Sequence, residues 1–266
     1  MRYRLHWSSF LLALGLLSRL PLVYSAVNRA LAAEAEADGS QEPYQQSPLW
    51  YPVVGLLLAA IIGTAFTLLH YLQLPNLLLA ALTLAIWVWL SGALHLDGLA
   101  DCVDALYVAH AEPAAMRRVM TEPHCGAMAI VHLTLLLLLK FAALCALSVS
   151  LSHIWSALLV ALVASRFSAA LMMATTACVS HSVFTLQLHP QRHRKSLIAI
   201  GMVVFGLLLL VCPLPIAALV ALSLAGLLLW WRRLWTHCIG GYTGDVIGAL
   251  IEISELAVLL LMVLSL

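Results

Sequence analysis

The chain has 266 residues, of which 64% are hydrophobic and 9% charged, and a mean hydropathy of +1.02. Soluble domains hold roughly 45–50% apolar residues, so this composition excludes a soluble globular protein. The formal net charge of +1 provides no field that would recruit nucleic acid or an acidic partner.

A helix needs about 20 apolar residues to cross a hydrocarbon core ~30 Å thick. In chain order, the apolar segments are predicted at 49–71, 75–94, 127–150, 153–177, 197–212, 214–231 and 246–266. Residues 5–27 form a weaker eighth segment, which either spans the membrane or lies in its surface. The basic start "MRYR" and the "ALA" at 30–32 resemble a secretory signal, but Arg19 and Pro21 interrupt the run and the cleavage-like site lies too far beyond it. The expected fold is therefore all-α: a polytopic membrane helix bundle of about seven transmembrane helices plus that N-terminal apolar helix. No internal repeat divides residues 1–266, so a single domain is expected.

Lysine and arginine mark cytoplasmic loops. Arg117 and Arg118 fall in 95–126, Arg192, Arg194 and Lys195 in 178–196, and Arg232 and Arg233 before 246. Seven alternating crossings place these three connections on one side. The opposite connections, "YLQLPN", "SLSH" and "CPLP", hold no lysine, arginine or acid. The polar segment "EAEADGSQEPYQQSP" (34–48) then also falls inside, as a mobile stretch. Six scattered cysteines with no C-x-x-C pair read as reduced, small apolar residues.

Half of the twelve acids sit in two places. The first is "GALHLDGLADCVDAL" (92–106), where Asp97, Asp101 and Asp104 are spaced i, i+4, i+7 and share one helix face. Three carboxylates on one face repel unless a cation sits among them. Hard oxygen ligands favour Mg²⁺, Mn²⁺ or Ca²⁺ over zinc or copper, and Mg²⁺ is the economical choice. The plain alternative is a solvated helix start with acids at the positive end of its dipole. His95 is either a ligand or substrate contact, or an interfacial histidine without a role. Most of the remaining histidines are read as loop or interfacial residues.

The second cluster is "CIGGYTGDVIGALIEISEL" (238–256). Gly240 and Gly241 permit a tight turn or close approach to a ligand, "TGD" opens a helix, and Glu252 follows Asp245 by seven positions on the same face. Glycines before a helix N-terminus suit a phosphate, while a simple capped turn explains the same residues without one. Lys140 and Arg166 lie inside apolar segments, where a charge costs about 2.5–3.5 kcal/mol on insertion scales. Each is expected to face the bundle interior, where, with Arg19, it either holds phosphate or pairs with the acids. Lys140 has the further option of snorkelling to an interface. A carboxylate-rich mouth with a magnesium ion, glycine turns and interior arginine suits phosphoryl transfer, in which positioning and charge neutralisation dominate.

These motifs resemble the cobalamin synthase family, the adenosylcobinamide-GDP ribazoletransferases. The likeness is carried by "GALHLDGLAD" with Asp104, by "GGYTGDVIGA", and by "SRLP" (18–21), "YPVVGLL" (51–57), "ASRFSAALMM" (164–173) and Lys140. Two departures stand out: Ala105 replaces the glycine usual after the third aspartate, and "MTEPHCGAM" (120–128) replaces a pattern resembling M-x-D-S-R-x-G. The resemblance implies a multi-pass enzyme of the bacterial inner membrane with its active site on the cytoplasmic face. The implied reaction joins adenosylcobinamide-GDP to α-ribazole, or to its 5′-phosphate, and releases GMP with Mg²⁺. It further implies that Asp97, Asp101 and Asp245 ligate the metal and that Asp104 completes the shell or takes the proton of the attacking hydroxyl. Arg166, Lys140 and Arg19 would contact phosphate, and His95, Gly241, Thr243 and Glu252 would position substrate. A CDP-alcohol phosphotransferase is the alternative enzyme, echoed by "DGLAD" but lacking that family's arginine and its later aspartates. A transporter using Lys140 and Arg166 is the alternative from another class.

Overall fold

The computed structural model describes residues 2–20, 45–108, 112–180 and 190–266. Among them ten α-helices form and no strand does: α1 (Arg2–Leu17), α2 (Tyr51–Tyr71), α3 (Asn76–Ser91), α4 (Leu94–Leu106), α5 (Pro113–Val119), α6 (Ala127–Leu147), α7 (Leu151–Thr175), α8 (Pro190–Val211), α9 (Leu214–Ile239) and α10 (Gly244–Val263). Six of these, α2 and α6 to α10, are long and apolar enough to cross a membrane. The chain is a multi-pass membrane helix bundle. Residues 21–27 of the N-terminal apolar segment and 34–44 of the polar one lie outside the described residues.

The seventh expected passage departs from the straight 75–94 segment. Helix α3 has 16 residues, about 24 Å at 1.5 Å per residue, and the chain then turns by 84° into α4. Gly92 and Ala93 make that turn, with φ of +63° and +56°. The left-handed region costs alanine more than glycine, so Ala93 carries strain that a sequence pattern does not announce. Gly92 is required twice over, because a Cβ there would lie 1.9 Å from Cγ of Arg19. The Arg19 amide donates to the Leu90 carbonyl at 2.8 Å and pins the chain across the break. The apolar part of α1, Trp7–Leu17, is shorter than a crossing; it buries Leu12, Ala13 and Leu17 and packs at the start of α2.

Helix α7 is the axis of the bundle, the most deeply buried of the spanning helices, and α2 and α10 pack along it. Its buried Ala157, Ala161, Ala164 and Ala169 let neighbouring helices come close, which matters where lipid removes the hydrophobic drive between helices. The three basic connections do gather at one end. Arg117 donates to the Ile239 carbonyl at 3.0 Å, Tyr242 to Ala177 at 3.0 Å, and Val179 to Tyr242 at 3.0 Å.

Candidate active site

At that end α4 lies against the first turns of α10. A Cβ at Gly98 would sit 2.8 Å from Cα of Asp245, and one at Gly248 would sit 3.2 Å from Cα of His95. Two glycines thus let the helix backbones touch, and the acidic face of α4 comes beside Asp245. Asp97 is exposed, while Asp101, Asp104 and Asp245 are half-buried. The Asp101 carboxyl is pushed up to about 7, first by burial and then by the charges of Asp245, Asp97 and Asp104. Four carboxylates in one another's field are the kind of donor set that a hard divalent cation relieves. Among the described residues no group of three or more histidine, cysteine, aspartate or glutamate side chains is gathered closely enough to hold a metal ion by itself. Mg²⁺ asks less of a protein than such a group, since it keeps several waters and usually takes one or two carboxylates together with substrate phosphate.

Asp104 has a second task. Its Oδ2 accepts the Gly126 amide at 2.6 Å, capping the start of α6, and a Cβ on Gly126 would lie 2.5 Å from Oδ1. In the same altered loop, Glu122 pairs with Arg118 at 3.7 Å on the surface and does not join the acidic cluster. Thr243 caps α10, accepting the Val246 amide at 3.4 Å and donating to Oδ2 of Asp245 at 3.2 Å. Gly241 faces α7, where a Cβ would fall 2.1 Å from the Ala177 carbonyl oxygen. The glycine turn is therefore built first of all as a capped, tightly packed entry to α10.

Beneath the acids lies a buried ion network. Lys140 of α6 donates to Glu252 at 2.6 Å and to Glu255 at 2.5 Å. Arg166 of α7 pairs with Glu255 and donates to Oγ of Ser165 at 3.0 Å. The Lys140 ammonium also stands 4.9 Å from the centre of the Trp87 ring. Glu252 and Glu255 come eight and eleven residues after the start of α10, about 12 and 16 Å below its end. Of the two roles open to Lys140 and Arg166, the structure displays pairing with acids. It joins α6, α7 and α10 through a group of two cations and two anions.

His95 sits between the two clusters. It is 4% exposed, and among the described residues neither ring nitrogen has a hydrogen-bond partner, nor do Nε and Nη2 of Arg166. Burial, and after it the charges of Arg166 and Lys140, hold the imidazole well below its ordinary pKa. Arg19 is exposed above the α3–α4 break. The bridging role of Glu255 was not assigned from sequence, although it follows Glu252 by three positions on a helix that also crosses two buried cations. Gly98, Gly126 and Trp87 carried no such signal.

Comparison with known proteins bears on the same chain. The model of the family described as cobalamin-5-phosphate synthase (CobS) matches residues 9–263. A protein of Ectopseudomonas mendocina named adenosylcobinamide-GDP ribazoletransferase is 40% identical over 258 residues, 96% of this chain and 98% of that protein. Proteins of the same name from Stutzerimonas stutzeri and Pseudomonas aeruginosa are 41% and 37% identical, covering 82% and 96% of this chain and 87% and 98% of their own lengths. No solved structure matches the chain. By the match of the family model and of these relatives over nearly its whole length, the chain belongs to the cobalamin-5-phosphate synthase family.

Proposed function

We propose that this protein is an adenosylcobinamide-GDP ribazoletransferase working on the cytoplasmic face of a bacterial inner membrane. A hydroxyl of α-ribazole, or of its 5′-phosphate, attacks the cobinamide-linked phosphorus of adenosylcobinamide-GDP. The new P–O bond forms as the bond to the GMP oxygen breaks, GMP leaves, and the hydroxyl proton passes to a carboxylate. The observation that carries this reading is the packing of α4, through Gly98, against Asp245 at the start of α10, which sets Asp101 in the field of Asp245 and Asp97, in a chain of this family.

In this reading Asp97, Asp101 and Asp245 would hold Mg²⁺, which when bound neutralises the diphosphate and stabilises the leaving GMP. Asp104, one oxygen of which is fixed by Gly126, keeps the other for the shell or for the proton. Lys140, Arg166 and Glu252 act by holding the helix that carries Asp245, since their charged groups are already paired. Arg19, exposed where α3 breaks into α4, is a cation for substrate phosphate, and His95, Gly241 and Thr243 would shape the wall of the site.

The test is turnover by protein in detergent or nanodiscs, given adenosylcobinamide-GDP and α-ribazole with and without Mg²⁺. GMP release matched by cobalamin and dependent on Mg²⁺ is expected. Release of CMP from a CDP-alcohol in place of that reaction would move the protein to the phospholipid-making enzymes.

A further inference from the structure

Helix α8 is the least enclosed of the spanning helices, with most of its apolar surface left open by the rest of the bundle. Between it, α7 and α9 lies a cavity of about 240 Å³, walled by Val163, Phe167, Leu171, Gly201, Leu208 and Leu224 among others. A second space of about 570 Å³ shares Phe167, Leu171 and Gly201 with the first and ends at Thr175 and Arg194. The two form one cleft. From Leu208 to Arg194 it runs along 14 residues of α8, about 21 Å, which is more than one leaflet's share of a ~30 Å hydrocarbon core.

The chemistry of the wall is hydrocarbon throughout. Its two hydroxyls are turned inward on their own helix, Ser168 donating to Ala164 at 3.0 Å and Thr175 to Leu171 at 2.7 Å. Water would find few partners there. The mouth is different: Arg194 is exposed and makes no ion pair with a described carboxylate, and Lys195 is exposed beside it. A long apolar slot between helices with a cation at its outer end is complementary to one kind of molecule.

We infer that this cleft is a binding site for an anionic phospholipid, with an acyl chain lying between α7, α8 and α9 and the head-group phosphate meeting Arg194. Basic pockets between membrane helices select anionic head groups in this way. Gly201 controls the passage, because it lines both spaces and a Cβ there would stand 2.9 Å from Cζ of Phe167.

Native mass spectrometry of the full chain in mild detergent, with phosphatidylglycerol and phosphatidylcholine of matched chains, tests the site. The wild type should retain phosphatidylglycerol in preference. Arg194→Gln, at an exposed position, should cut that preference about fivefold, the factor expected for one basic residue at a membrane surface. Gly201→Leu should lower retention of both lipids, and Ala225→Phe, on the exposed rim of the same cleft, serves if that variant fails to fold. Equal retention of the two lipids by the wild type, or a preference that survives Arg194→Gln, would overturn the site. So would a wild type that retains no lipid, since a second copy or another part of the chain would then fill the cleft.

Discussion

The rim of carboxylates and the ion network beneath it are built from the same residue types, and they behave oppositely. At the rim, burial and then the charges of Asp245, Asp97 and Asp104 raise the proton affinity of Asp101, and no lysine or arginine is paired with these four acids among the described residues. In the network, Glu252 and Glu255 each hold a buried cation at hydrogen-bond distance. Acids left unpaired at an open end are poised for a charge that arrives from outside. Acids paired in the interior are spent on holding helices, because an uncompensated charge at that depth is prohibitively costly.

Four substitutions can break or sharpen this contrast. Glu255→Ala should have the largest effect, because it strips Arg166 of its carboxylate and leaves Lys140 with one. Removing one partner of a buried pair costs about 3–5 kcal/mol, to be read as a lowered unfolding midpoint in detergent; an unchanged midpoint would show that the network is not structural. Asp101→Asn should lower turnover at least 100-fold, about 2.7 kcal/mol of barrier, without loss of thermal stability, since one mutually repelling carboxylate disappears. A drop in midpoint like that of Glu255→Ala would erase the distinction between the regions.

Gly98→Ala tests the contact that brings the rim together. Its added methyl would press on the Asp245 backbone, with an overpacking cost of about 1–3 kcal/mol. Turnover should fall while Mg²⁺-independent unfolding changes less than for Glu255→Ala. Glu122→Gln should do least: it breaks an exposed i,i+4 pair, worth under about 1 kcal/mol, and should keep full turnover. Lost activity in Glu122→Gln would bring the altered 120–128 loop into the site.

Much of the membrane architecture was legible in the chain. Apolar runs of spanning length placed six crossings to within a few residues at most of their ends, since a helix in lipid must satisfy its own backbone and its length follows the bilayer. The clearest misplaced boundary is the tail of the 214–231 segment, which continues as helix to Ile239 because Trp231 and Trp235 stay buried beyond the apolar run. The break at Gly92–Ala93 escaped notice, because an alanine in a left-handed turn has no pattern of its own.

For the site, the chain by itself determined which acids share a face, that Thr243 begins a helix, and that Lys140 and Arg166 needed anionic partners. Those are properties of helical spacing and of charge in lipid, and both are local. Only the tertiary structure decided which acids those partners are. It also decided that Asp104 caps α6 and that Gly98 and Gly248 bring α4 onto α10. Pairing across helices depends on rotation and depth in the bundle, which packing sets and no single segment encodes.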